Sequence, residues 1–153
     1  MALKDAGRSV CDHPGGTKGD LDAILDVACD IWIPAARPDV VHERNVARLR
    51  TKLVLQGANI PFTAAAEQRL HAQGVIVVPD FIANAGGVIC AAMEYQGATE
   101  TQAFQAIAEK IRANTEAVLA DALTRSVLPR QAAVDLAVAR VRDAMACRRF
   151  SIM

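Results

Sequence analysis

Apolar residues in this chain fall into short unbroken runs and into longer stretches spaced three and four apart. The runs are CDIWIP (Cys29–Pro34), KLVL (Lys52–Leu55) and VIVV (Val75–Val78), and each is closed by proline or glycine at Pro34, Gly57 or Pro79. Runs of this length, apolar on both faces, belong to buried strands of a parallel sheet. The spaced stretches predict helices. The first spans Asp20 to Ala28, capped by Asp20, with Leu21, Ile24, Leu25 and Ala28 on one stripe. A short one follows from Glu43 to Arg50 with Val46 and Leu49 inward. Another runs from Thr63 to Gln73, with Thr63 as N-cap, Glu67 in the first turn and Gly74 as the stop. A helix follows Asn84 and reaches Tyr95. A long one from Glu100 to Leu123 carries Phe104, Ile107, Ile111, Val118, Leu119 and Ala122 on one stripe, and ends before Leu128 and Pro129. The last, Arg130 to Ala146, is expected to turn Val134, Val138, Val141 and Met145 inward.

Strand and helix alternate through the first two-thirds, which implies right-handed parallel crossovers and an α/β class. Three strands are fewer than a complete doubly wound domain uses, and no glycine-rich GxGxxG turn is present. Gly15 and Gly16 follow no strand and do not substitute for it.

Composition narrows the classes. The chain has 153 residues, of which 52% are hydrophobic, enough for one domain with a core. Lys plus Arg equals Asp plus Glu at 17 each, so no net field draws the chain to nucleic acid or to an anionic membrane. No apolar run approaches the length of a membrane helix and no secretory leader is evident, so the expectation is a cytoplasmic protein. Cys11, Cys29, Cys90 and Cys147 lack metal-ligand spacing and read as reduced thiols, with Cys90 a small buried residue. Aromatics are only 4%, so the small side chains bury little area each and invite another surface to complete the core.

Ligands of open parallel sheets bind beyond the carboxyl ends of the strands. Three segments occupy that position: PAA (Pro34–Ala36), GAN (Gly57–Asn59) and PDFIANAGG (Pro79–Gly87). Ala35 and Ala36 would present backbone to a flat ligand. Asn59 and Asn84 each offer an amide donor and a carbonyl acceptor, suited to ribose hydroxyls or a carboxamide. Gly86 and Gly87 would open the next helix, where free N–H groups favour anions and the missing Cβ allows close approach. Each segment also has a plainer reading: Asn84 as an N-cap, Gly57 and Asn59 as turn formers, Gly86 and Gly87 as helix–sheet packing. Asp80 reads as a turn residue. His13, His42 and His71 are scattered, with His42 a possible cap and His71 on a polar face. No Ser, Thr or Cys has an evident base partner, so hydrolase chemistry has no support.

At these loops the chain resembles a known family. CDIWIPAA, then KLVLQGANIPFTAAAEQRLHAQGVIVVPDFIANAGGV, then a helix ending in MEY, is similar to the C-terminal half of the nucleotide-binding domain of the glutamate/leucine/phenylalanine/valine dehydrogenases. The likeness is strong from Asp20 to Tyr95 and looser beyond. It implies the C-terminal half of a Rossmann-like sheet: residues 1–98 as a partial NAD(P)-binding domain and residues 99–153 as helices packed on it. It implies an oxidoreductase that interconverts an amino acid with its 2-oxo acid and ammonia, using NAD or NADP. By the same carry-over Ala35, Ala36, Gly57, Asn59, Asn84, Gly86 and Gly87 face the cofactor, and Ala91 lines the substrate pocket.

Two positions depart from the family pattern. Family glutamate dehydrogenases usually carry Glu before GAN, where Gln56 stands here. Glutamate-specific members resemble VSYFE on the helix after NAGGV, whereas this chain reads CAAME, with Ala91 in place of the serine that meets the side-chain carboxylate. A methyl group cannot donate to a carboxylate, so an apolar amino acid is the expected substrate. The family's catalytic lysines and aspartate, its substrate domain and its first mononucleotide half lie upstream and have no counterpart here. The expectation is therefore a fragment, inactive alone, that supplies the nicotinamide side of the cofactor site and self-associates as a homo-oligomer through exposed apolar surface. The rival expectations are a stand-alone, non-catalytic nucleotide-binding or regulatory module of the same descent, and an oligomerisation domain built on the C-terminal helices.

Overall fold

The computed structural model describes residues 2–148; the last five residues of the expected helical segment lie outside them. Three parallel strands, β1 (Ile31–Trp32), β2 (Leu53–Leu55) and β3 (Ile76–Val78), pair in the order β1-β2-β3. The helices are α1 (Ala2–Asp5), α2 (Ala64–Ala72), α3 (Asp80–Ala83), α4 (Gly86–Tyr95), α5 (Glu100–Arg125) and α6 (Pro129–Arg148). The α/β class and the parallel sheet are those the alternating runs predict.

Alternation along each strand divides the core in two. Val54 and Val77 face a cluster with Leu25, Val41, Val46, Leu49, Phe62, Ala66 and Leu70. Trp32 packs against it, its ring edge-on to Phe62 at 5.9 Å. Val78 faces the other way, into a cluster with Ile82, Val118, Ala122, Ala132 and Ala133, against which Leu53 and Leu55 pack. Helices therefore cover both faces of the sheet, as a parallel sheet requires. Helix α2 starts where the sequence places it: the Thr63 hydroxyl accepts from the Ala66 N–H, and Gly74 beyond its end takes φ 79°. Helix α5 has a full capping box, with Thr99 and Gln102 exchanging side-chain and backbone bonds.

Several expectations are corrected. The helix over Asp20–Ala28 reduces to a 3-10 turn at Ala23–Asp26; Asp20 instead accepts from the Asp22 N–H, and only Leu25 of the stripe is fully buried. The Glu43–Arg50 helix is likewise a 3-10 turn at Val46–Arg48, although Val46 and Leu49 do point inward. The run around β1 is not buried on both faces: Trp32 packs on the first cluster, while Ile31 and Ile33 on the opposite face are exposed, as is Ile76 of β3 at the other edge. On α5, Val118 and Ala122 are buried while Phe104 is exposed. On α6 the inward residues are Ala132 and Ala133; Val134, Val138, Val141 and Met145 are 40–63% exposed. Alanines permit a closer approach to the sheet than the valine stripe would, so the small face wins the interior. Cys90 is half-buried rather than buried.

Candidate functional site

The three segments beyond the strand ends do converge. The Ala58 N–H donates to the Pro34 carbonyl at 2.7 Å, tying GAN to PAA. A Cβ built on Gly57 would meet the Ala35 Cβ at 3.2 Å and the Pro34 oxygen at 3.3 Å, so a side chain there would push the two loops apart by a few tenths of an ångström. The Asn84 amide donates to the Asn59 side-chain oxygen at 2.8 Å and approaches the Gly57 carbonyl at 3.4 Å, tying PDFIANAGG to GAN. Asn84 is not the N-cap of α4: Ala85 occupies that position, and Asn84 ends α3. Its side chain is thus spent on Asn59, with polar capacity left on both amides.

Gly86 and Gly87 lie in the first turn of α4, but for different reasons. A Cβ on Gly86 would touch Ile107 of α5 at 3.5 Å, which is ordinary packing; a Cβ on Gly87 would meet nothing within 4 Å. Ala35 and Ala36 are exposed at the same sheet end. Ala91 is exposed on α4 and is not among the residues lining the cleft described next.

A cleft of about 800 Å³ opens above Asn59 and Asn84. Val88 lines it from α4, and Lys110, Asn114 and Arg140 line it from α5 and α6. Arg140 donates to the Asn114 side-chain oxygen at 2.8 Å, and among the described residues no acidic group lies within ion-pair distance of Lys110 or Arg140. The cleft therefore has amides on its floor and positive charge on its wall, a donor set for an anionic, hydroxyl-rich ligand. Neither cation was legible from the sequence, because both lie on helices whose polar positions look like ordinary solvated faces.

Beneath the floor lies a buried polar network. Arg130, from the first turn of α6, donates Nε–H to Glu67 Oε2 at 2.7 Å and Nη2–H to Glu67 Oε1 and Gln56 Oε1, both at 2.8 Å. Its Nη1 stands 3.0 Å from Asp80 Oδ1 as an ion pair. Gln56, fully buried, also donates Nε2–H to Glu67 Oε1 and accepts from the Asp80 N–H at 3.3 Å. Asp80 Oδ2 accepts the Ile60 N–H at 2.9 Å. Asp80 is thus far more than a turn residue. Its burial resists ionisation, but the Ile60 N–H and the Arg130 charge outweigh it and hold the carboxyl below its usual range. Arg130 also lies over the Phe81 ring, 5.8 Å from its centre. Among the described residues, no helix is long and apolar enough to cross a membrane.

The family model for Glutamate/Leucine/Phenylalanine/Valine dehydrogenase matches residues 1–149. The NADP(+)-dependent glutamate dehydrogenase of Pyrobaculum calidifontis is 38% identical over 154 residues, which cover 95% of this chain and 36% of that protein. The L-tryptophan dehydrogenase of Nostoc punctiforme superposes with a TM-score of 0.74 at 25% identity, over 82% of this chain and 38% of that one. The hetero-hexameric glutamate dehydrogenase of Thermus thermophilus shares the fold at a TM-score of 0.80 and 18% identity, over 96% of this chain and 36% of that one. The chain thus spans little more than a third of the length of these relatives.

Proposed function

Because the chain belongs to the glutamate/leucine/phenylalanine/valine dehydrogenase family, we propose that it supplies the nicotinamide side of an NAD- or NADP-binding site in an amino-acid dehydrogenase. The observation that carries this reading is the joining of Asn59 and Asn84 at 2.8 Å beneath an open cleft, with space over Gly87. When bound, the nicotinamide supplies the hydride chemistry of amino-acid deamination. The chain's part is to hold and orient it. Asn59 and Asn84 present amides to ribose hydroxyls or the carboxamide, Ala35 and Ala36 offer backbone along the sheet end, and Gly57 lets those two loops close. Gly87 leaves the N-terminus of α4 open to an anion, Gly86 contributes its backbone to the same turn while its Cα side packs on Ile107, and Lys110 and Arg140 add charge from the far wall.

In this reading residues 1–98 form part of a cofactor domain, with residues 99–153 its helical support. The chain alone is inactive, since the lysines and aspartate the resemblance assigns to catalysis have no counterpart in it. Ala91 favours an apolar amino acid over glutamate at the substrate end. The apolar stripe of Val134, Val138, Val141 and Met145 is a subunit contact, so light scattering is expected to show mass rising above 16.3 kDa with concentration. A constant monomer mass would remove that element of the proposal.

Gly87→Ala separates the cofactor reading from packing. Alanine is the better helix former by about 1 kcal/mol and meets no neighbour, so thermal stability is expected to hold or rise. Affinity for NAD or NADP, measured calorimetrically, is expected to fall for this variant and for Asn84→Ala. Unaltered affinity in both would take the cleft out of cofactor binding and leave a non-catalytic module as the better description.

A further inference from the structure

Ile60, next to Asn59, has φ 48°, a left-handed conformation that β-branched residues strongly avoid. Its side chain is 59% exposed, so packing does not hold it there. Two hydrogen bonds do: its N–H donates to Asp80 Oδ2 at 2.9 Å, and its carbonyl accepts from the Asp39 N–H at 2.9 Å. Asp80 also accepts the Asn84 N–H through its backbone carbonyl at 2.7 Å. The Asp80 side chain therefore acts on Asn59 through its neighbour's N–H, and reaches Asn84 through the Asn84–Asn59 side-chain bond at 2.8 Å; the main-chain bond to Asn84 is the ordinary turn of α3 and does not depend on the carboxylate. The Asp80 side chain is only 9% exposed, and the cation that braces it comes from α6, on Arg130, whose hydrogen bonds go to Glu67 and Gln56.

We infer that Asp80, braced by Arg130, is the positioning residue that holds the strained Ile60 turn so that Asn59 and Asn84 meet in cofactor-receiving register. The inference rests on the cofactor reading of the cleft given above. Strain held at one residue by a buried carboxylate is a common means of pre-forming a binding loop. Releasing it lowers the fraction of molecules with a competent floor, and apparent affinity falls by that fraction.

The test uses the isotope-labelled chain, Asp80→Asn, and the double variant Asp80→Asn/Ile60→Gly, because glycine adopts a left-handed φ without a clamp. In the ligand-free chain, Asp80→Asn is expected to speed exchange of the Ile60 amide about tenfold while core amides of β2 and β3 keep their protection. It is also expected to shift the Asn59 and Asn84 side-chain amide signals. Titrated with NADP and with NAD, it is expected to bind about tenfold more weakly, and Ile60→Gly is expected to recover most of that loss. Unchanged Ile60 exchange and unchanged asparagine signals overturn the clamp whatever the ligand does. Wild-type cofactor affinity in Asp80→Asn overturns it too, provided Asn84→Ala has lost affinity. If Asn84→Ala binds as wild type, the cleft reading has failed and the exchange data alone decide the clamp. Should Asp80→Asn not fold, Arg130→Lys, which keeps the charge but not the planar fork, must show the same rise in Ile60 exchange or the inference falls.

Discussion

Arg130→Met is expected to destabilise the chain by about 3–5 kcal/mol, the cost of leaving buried carboxylates without their countercharge. A folded domain has only about 5–15 kcal/mol in hand, so much of that margin would go. The carboxylates concerned, Glu67 and Asp80, have side chains only 6% and 9% exposed, and Arg130 is their sole cationic contact among the described residues. The pH dependence should change sign as well. In the parent chain the Asp80 carboxyl titrates below its unfolded value, so its contribution is complete above about pH 4–5 and is lost as pH falls through the folded pKa. Without Arg130 the burial of Asp80 is opposed chiefly by the Ile60 N–H, and its carboxyl should titrate above its unfolded value. That form is most stable at acid pH and loses stability as pH rises. Urea unfolding of both proteins between pH 4 and 8 reads the difference. A loss under about 1 kcal/mol at pH 7, with parallel pH profiles, would show that the network contributes little.

Gln56→Glu is expected to cost about 2–4 kcal/mol near neutral pH although it changes a single atom type. Gln56 Oε1 accepts from Arg130 and from the Asp80 N–H, and a carboxylate would do the same. The difference lies at Nε2, which donates to Glu67 Oε1 inside a fully buried site. An oxygen there faces another oxygen and needs a shared proton. Glu67→Gln in the same background restores one donor to the pair and should recover most of the loss. Equal stability of Gln56→Glu and the parent at pH 8 would mean that the buried pair rearranges at little cost.

Both predictions concern residues that local reading could not connect. Gln56 stands out in the sequence only as a departure from family pattern, with nothing to say what it touches. Arg130 and Glu67 are separated by 63 positions, and Glu67 has the look of an ordinary charge near a helix start. What short-range rules do reveal is substantial. KLVL and VIVV are strands because continuous apolar runs suit a sheet covered on both faces. Thr63 caps α2 and Gly74 ends it because each satisfies a local backbone need. The convergence of PAA, GAN and PDFIANAGG follows from parallel order, since strand ends of like direction share one edge. The stripes were less reliable. Leu21, Ile24 and the valines of α6 have helical spacing but remain exposed, because periodicity marks a face that favours burial without naming the surface that buries it. The same limit hid Lys110 and Arg140, which acquire meaning only where α5 and α6 pass over Asn84.

The most direct measurement is a crystal structure of this chain soaked with NADPH. The nicotinamide ribose or carboxamide is expected within about 2.7–3.2 Å of the Asn59 and Asn84 side chains, with the α4 N-terminus at Gly87 against the ligand. A dinucleotide bound elsewhere, or a cleft over Asn59 and Asn84 left empty while the cofactor occupies another surface, would contradict the nicotinamide-side assignment.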